Sequence, residues 1–378
     1  MDSLRGFAAI GVALFYHYQH YIGINTYSGD YPFSSFGFWF FKYGWSLVDF
    51  FFVLSGFVFS YVYKEKIAQN KIGFKEYCFL RFSRLFPLHF VTLVLVAIFQ
   101  WLRINTHLGY YIYSFNDTYH FVLNLFLVQS FGMDRGWSFN GPSWSISCEI
   151  VAYLIFFGVT LKYRHHIWFY LIFILSGIFI ANNNYHFFII NSQVARVLMG
   201  FFAGCFFYEL NFFIYKNHSR SPLGKMFKEN HRPFLYNGLV FLLVITILLK
   251  AKFYGQDSLG NWSRIYTLIV YPGIIILAIN SPFLRALLSL KVFSLLGDIS
   301  YSIYLLHFPI HLIIFLVNKI FNLHFDYYSK IFFLFNFTVI ILISYLSYTY
   351  FEKPVLLYLR TWFKKRKTGP GEGLLNTG

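Results

Sequence analysis

The chain has 378 residues, of which 57% are hydrophobic and only 12% charged, and its formal net charge is +16. Water-soluble domains carry about a quarter charged residues, so this composition excludes a soluble globular protein and points to an integral membrane protein. Basic residues in short loops between spans account for the positive charge through topology, so the lipid bilayer is the expected partner and nucleic acid is not.

A membrane span needs about 20 mostly apolar residues. The first such run, "MDSLRGFAAIGVALFYHYQHYIG", carries Arg5 and His17 and ends in polar aromatic residues rather than a small-x-small cleavage site, so it is read as a retained first helix over 4–22. Further spans are predicted near 45–63, 85–102, 143–161, 167–182, 194–210, 234–250, 264–280, 297–318 and 329–350, ten helices in all. The expected fold is therefore an all-α polytopic membrane protein. The apolar segment 119–131 is short and is read as interfacial or re-entrant. One transmembrane domain is expected over 1–358, followed by a basic, Gly-rich cytoplasmic tail over 359–378. No fixed-period repeat is visible, which disfavours a repeat-built transporter.

With a cytoplasmic N-terminus, the inner loops, the tail and Arg5 hold 22 of the 31 Lys and Arg residues, so the positive-inside rule places both termini in the cytoplasm. Cys78, Cys148 and Cys205 have neither metal-like nor disulfide-like spacing, and no metal site is expected.

Ionisable side chains within spans cost about 3 kcal/mol or more and by default face a cavity. Arg5, His17, Asp49, Glu149, Arg196, Asp298 and His307 are such residues. At a rise of about 1.5 Å per residue, Arg5 falls near the inner face and His17 roughly 18 Å further out, at a depth comparable to Asp49 and Glu149. Two readings fit: a carboxylate-supported histidine base, or a polar network that holds helices together. Tyr16, Tyr18 and His20 read as interfacial anchors. "RFSRLFP" places Arg81 and Arg84 one turn apart at the start of the third helix, where they either bind phosphate or mark topology. Glu352 and Asp298 fall near inner ends, where water can hydrate them, and Tyr304 and His307 lie deeper.

The motifs, in order, resemble the acyltransferase-3 family of bacterial membrane enzymes that O-acylate cell-surface glycans. "MDSLRGFAAIGVALFYH" is similar to its opening Arg/His helix, "VDFFFVLSGFVFS" to its second-helix block and "RFSRLFP" to its Arg-x-x-Arg element. "GPSWSISCEIVAYLIFF", "RVLMGFFAGCFFY", "SYSIYLLHFPI" and "YFEKP" follow in the family's order. One departure stands out: Arg5 and His17 enclose eleven residues where the family has ten, a rotation of about 100° on a regular helix. Either the helix contains a bulge or His17 reaches the cavity from a shifted register.

The resemblance implies an acyl-CoA-dependent O-acyltransferase in the bacterial cytoplasmic membrane. It would take acetyl-CoA from the cytoplasm as co-substrate and acylate a hydroxyl of a glycan or glycolipid outside. His17 and Arg5 are then the key pair, Arg81 and Arg84 serve the donor, and Glu149 or Asp49 supports the imidazole. Ser143, Trp144, Arg196, Tyr304 and His307 are further candidates from the same motifs. Direct transfer and an acyl-histidine intermediate both remain open. The rival reading is a proton-coupled exporter of a small anionic or sugar substrate, with the buried charges as its relay.

Overall fold

The computed structural model describes residues 1–22, 31–163, 167–183, 185–218, 238–243, 245–246 and 263–368. Among them secondary structure is helical, apart from one isolated bridge between Phe187 and Ile190. In chain order the helices are α1 (Asp2–Ile10), α2 (Ser34–Tyr43), α3 (Leu47–Ala68), α4 (Phe74–Asn105), α5 (Thr118–Leu125), α6 (Trp144–Tyr163), α7 (Trp168–Asn183) and α8 (Ser192–His218). They continue with α9 (Tyr271–Asn280), α10 (Pro282–Leu288), α11 (Lys291–Asp298), α12 (Ser300–Ile320), α13 (Lys330–Ser347) and α14 (Lys353–Thr368).

Seven helical segments among the described residues are long and apolar enough to cross a membrane, and α7 is a shorter apolar helix. About half of the span expected over 234–250 lies outside the described residues. The 119–131 segment contains only the eight-residue α5, capped by Asp117, whose side chain accepts the His120 backbone N–H. It is too short to span.

The boundaries differ most from the sequence reading at two places, while α3 and α8 also run on to Ala68 and His218. The third span starts at Phe74 rather than 85, because Pro87 lies inside α4 instead of near its start. A proline in a helix interior removes one backbone donor, a loss that α4 absorbs within an otherwise continuous 32-residue helix. Arg81 and Arg84 are consequently in the helix body. At the other end of the chain, α13 does not stop near 350 but continues through a π-turn, Tyr348–Glu352, into α14. Glu352 is therefore buried and accepts a hydrogen bond from Ser302 at 2.8 Å, rather than being hydrated.

The extra residue between Arg5 and His17 has a clear structural counterpart. After α1 the chain forms a π-turn over Gly11–Phe15 and then a 3₁₀ segment over Tyr16–Tyr21. A π-bulge accommodates one added residue without ending the helix. Of the two alternatives, the bulge is the one observed.

The core is organised around α3 and α8, which pack along most of their shared length. Their backbones touch. A Cβ on Gly56 would overlap the Phe201 carbonyl oxygen, and one on Gly204 would overlap that of Val53. Small residues permit this approach, which membrane helices use in place of hydrophobic exclusion. The helix α12 packs against α1, α4 and α13, which buries Tyr304, His307 and His311 at the centre of the bundle.

Candidate active site

Two of the cavities among the described residues share a wall. The first, about 110 Å³, is lined by Arg5 from α1, Ser55 and Phe59 from α3, Arg81 and Arg84 from α4, Glu149 from α6 and Tyr301 from α12, among others. Three guanidinium groups face one carboxylate there, so the lining favours an anion. Arg81 is held: it hydrogen-bonds Tyr63 and lies 4.8 Å over the Phe59 ring and 4.7 Å over the Tyr63 ring. Its Nε is buried without a partner. Arg84 makes no hydrogen bond or ion pair among the described residues. Arg5 pairs with Asp2 at 3.1 Å. Glu149 accepts a 2.6 Å hydrogen bond from Tyr153, its neighbour one turn along α6.

The second cavity, about 260 Å³, is lined by Tyr16, His17, Gln19 and His20 from the 3₁₀ segment, by Trp45, Tyr113, Trp137 and Trp144, and by Arg196. Residues at i and i+3 eclipse in a 3₁₀ helix, so the His17 and His20 rings stack, with centroids 4.7 Å apart and planes 18° from parallel. His20 is thus a wall of the cavity rather than an interfacial anchor, and Tyr16 lines it too. Across the bundle, His17 Nδ1 lies 2.7 Å from Nε2 of the fully buried His307.

Tyr304 lines both cavities. Its hydroxyl donates to the Pro142 carbonyl oxygen at 2.8 Å and lies 2.9 Å from Ser145 Oγ. The phenol and the first turn of α6 form the partition between the arginine side and the histidine side.

The structure separates residues that depth alone had grouped. Asp49 does not meet His17; it accepts a 2.8 Å hydrogen bond from Arg196 Nε. The Arg196 guanidinium is 4.9 Å over the Trp144 ring and 5.4 Å over Trp45. Glu149 faces the arginine cavity instead. The imidazole partner of His17 is therefore another histidine and not a carboxylate, because Asp49 is engaged by Arg196 on α8 and Glu149 lines the arginine cavity beside Tyr153. Trp144 lines the histidine cavity, whereas Ser143 is buried and receives the Gln129 amide at 3.0 Å. Asp298, at the end of α11, is exposed.

Sequence reasoning missed Ser145, Tyr153, Trp45 and Trp137. A helical signal existed for two of them: Ser145, Glu149 and Tyr153 recur every four residues, which places them on one face. Trp137 stands in an irregular segment, where no periodicity reports its direction.

Comparison with known families gives a match to the one described as an acyltransferase domain over residues 1–353. Comparisons with curated proteins and with solved structures gave no match. The match covers all the elements that form the two cavities, and the chain belongs to the acyltransferase-3 family of membrane acyltransferases.

Proposed function

We propose that the protein moves an acyl group, acetyl in the first instance, from cytoplasmic acyl-CoA to a hydroxyl of a glycan or glycolipid outside the bacterial cytoplasmic membrane. The observation that carries this reading is the meeting of an arginine-lined cavity and a histidine-lined cavity at one side chain, Tyr304. Coenzyme A is a polyanion, and Arg5, Arg81 and Arg84 supply matching charge. The second cavity has Trp45, Trp137, Trp144 and Tyr113 for the apolar faces of a sugar ring, with Gln19 and Arg196 for its hydroxyls.

In this scheme the donor's phosphates bind at the arginines and its thioester reaches toward Tyr304. The acceptor oxygen attacks the thioester carbonyl carbon while its proton passes to His17. The carbon–sulfur bond then breaks, and its electron pair leaves on the CoA sulfur, which takes up a proton. The acyl group ends as an ester on the acceptor, so atoms and charge balance. Arg5 orients the donor, Glu149 holds the α6 side of the arginine cavity through Tyr153, and Asp49 holds Arg196 in place beside the acceptor. No metal enters this scheme.

The test is purified protein with acetyl-CoA and the cell-envelope glycan fraction of the source cells as acceptor. Thiol release is followed together with a mass increase of one acetyl group per modified sugar. His17→Ala should retain CoA binding and lose roughly 10²–10⁴ in transfer rate. Thiol release without any acylated glycan product would reject the acceptor class, and normal turnover in His17→Ala would reject the mechanism.

A further inference from the structure

A histidine base is useful only if the nitrogen facing the substrate carries a lone pair, and the tautomer is set by what the other nitrogen does. His307 Nδ1 lies 3.2 Å from the Ile303 carbonyl oxygen, one turn back on α12. A carbonyl oxygen only accepts, so Nδ1 carries the proton and the neutral ring presents a lone pair at Nε2. That lone pair is 2.7 Å from His17 Nδ1. The two rings are 9° from parallel with centroids 4.8 Å apart. An N···N contact this short between nearly parallel rings requires that they meet edge to edge, which directs the lone pair along the opposing N–H.

We infer that His307 is a positioning residue that fixes His17 with its proton on Nδ1 and its lone pair on Nε2, open to the acceptor cavity. Among the described residues nothing hydrogen-bonds His17 Nε2. His307 thereby performs the orienting task that the sequence had assigned to a carboxylate, and it does so without adding a negative charge to the bundle centre. The arrangement is directional. Because His307 is anchored to its own helix backbone, the proton order runs from the Ile303 carbonyl through both rings to the cavity. The other titratable or charged groups around the pair are Tyr16, His20, Tyr113, Arg196 and Tyr304 along the cavity and His311 one turn further on α12. This inference rests on the reading of His17 as the proton acceptor, and the experiment separates the two.

The experiment compares His307→Gln, His307→Asn and His307→Leu with His17→Ala, using acetyl-CoA and the same envelope glycan fraction. A glutamine amide reaches the place of Nε2 and retains an acceptor for His17, whereas an asparagine amide ends near Nδ1 and does not. His307→Gln should keep kcat within about tenfold, while His307→Asn and His307→Leu should each lose roughly 10²-fold in kcat with the KM for acetyl-CoA unchanged. Gln and Asn are similarly polar and both bury an amide, so a purely structural role would not separate them. If Leu fails to fold, the Gln and Asn pair still decides. Equal rates in Gln and Asn, or an unaffected Leu variant, would overturn the positioning role while leaving His17 as base. Normal turnover in His17→Ala would remove the base itself.

Discussion

The Tyr304 phenol oxygen lies 2.9 Å from Ser145 Oγ, and this pair closes the seam between the arginine and histidine cavities. A partition held by hydrogen bonds can both separate two compartments and yield to an entering group. Tyr304→Ala should join the cavities and let water reach the thioester, raising acetyl-CoA hydrolysis relative to transfer. Tyr304→Phe keeps the ring but leaves the Pro142 carbonyl with only the longer, 3.3 Å bond from Ser145, a destabilisation of about 0.5–1.5 kcal/mol. The ratio of thiol release without acceptor to acylated product measures the first effect. An unchanged ratio in the Ala variant would show that the phenol does not divide the compartments.

Arg81 and Arg84 should separate on substitution although both line one cavity. Arg84 has no hydrogen bond or ion pair among the described residues to lose, so Arg84→Ala should leave thermal stability near wild type. It should weaken CoA binding by the equivalent of about 1.5–3 kcal/mol, and Arg84→Lys should restore only part. Arg81→Ala also removes the contacts with Phe59 and Tyr63, so it should lower both CoA affinity and melting temperature. Calorimetric titration with CoA and a melting curve for each variant decide this, and unchanged affinity in both would take the pair out of the donor site.

The Asp49–Arg196 pair predicts a pattern of coupling. Removing one partner of a buried pair leaves an uncompensated charge and costs about 3–5 kcal/mol where burial is complete; Arg196 is partly open to the cavity, with 28% side-chain exposure, so a smaller loss is expected. Asp49→Asn and Arg196→Gln should each destabilise the protein, with the double variant well short of their sum. Asp49→Asn and His17→Ala should be additive in stability. Coupling of Asp49 to His17 instead would restore the carboxylate-supported base.

Orientation is testable at two exposed positions, Lys71 and Asn183. In a Cys78→Ser background, Lys71→Cys should resist a membrane-impermeant thiol reagent in intact cells and react in inverted vesicles. Asn183→Cys should do the reverse. Labelling of Lys71→Cys from outside would reverse the assignment of the arginine cavity to the cytoplasmic side.

Outside the spans, the backbone N–H and then the ring of His120 hold the Asp117 carboxyl below the usual carboxylate range. A group with a lowered folded pKa stabilises the fold above its unfolded pKa, near 3.9, and that contribution disappears as pH falls through the folded value. Amide protection across α5, the exchange rate relative to the intrinsic chemical rate at the same pH, should therefore be high at neutral pH and fall below about pH 4. In Asp117→Ala it should be low throughout. Wild-type protection that does not change with pH would dismiss this cap as a stabilising element.

The helical character, the family and the arginines, Glu149 and His17 among the cavity-lining residues were legible in the chain because each depends on short-range pattern. Apolar runs of span length, the order of seven motifs and the extra residue before His17 are all local. Counting along one helix narrowed the first span to a bulge or a shifted register, and the structure shows the bulge.

The pairings were not legible, for a geometric reason. Residue number along a span gives depth in the membrane but neither the direction in which a side chain points nor which helix stands beside it. Counting along the spans grouped Asp49, Glu149 and His17 at one depth, yet Asp49 meets Arg196, 147 residues away, Glu149 lines the cavity of Arg5, Arg81 and Arg84, and His17 meets His307, 290 residues away. Helix packing selects those partners through contacts such as Gly56 on the Phe201 backbone and Gly204 on that of Val53. Charge and spacing along the chain do not encode that lateral arrangement, so the histidine pair and the Tyr304 partition became visible only with α12 seated against α1.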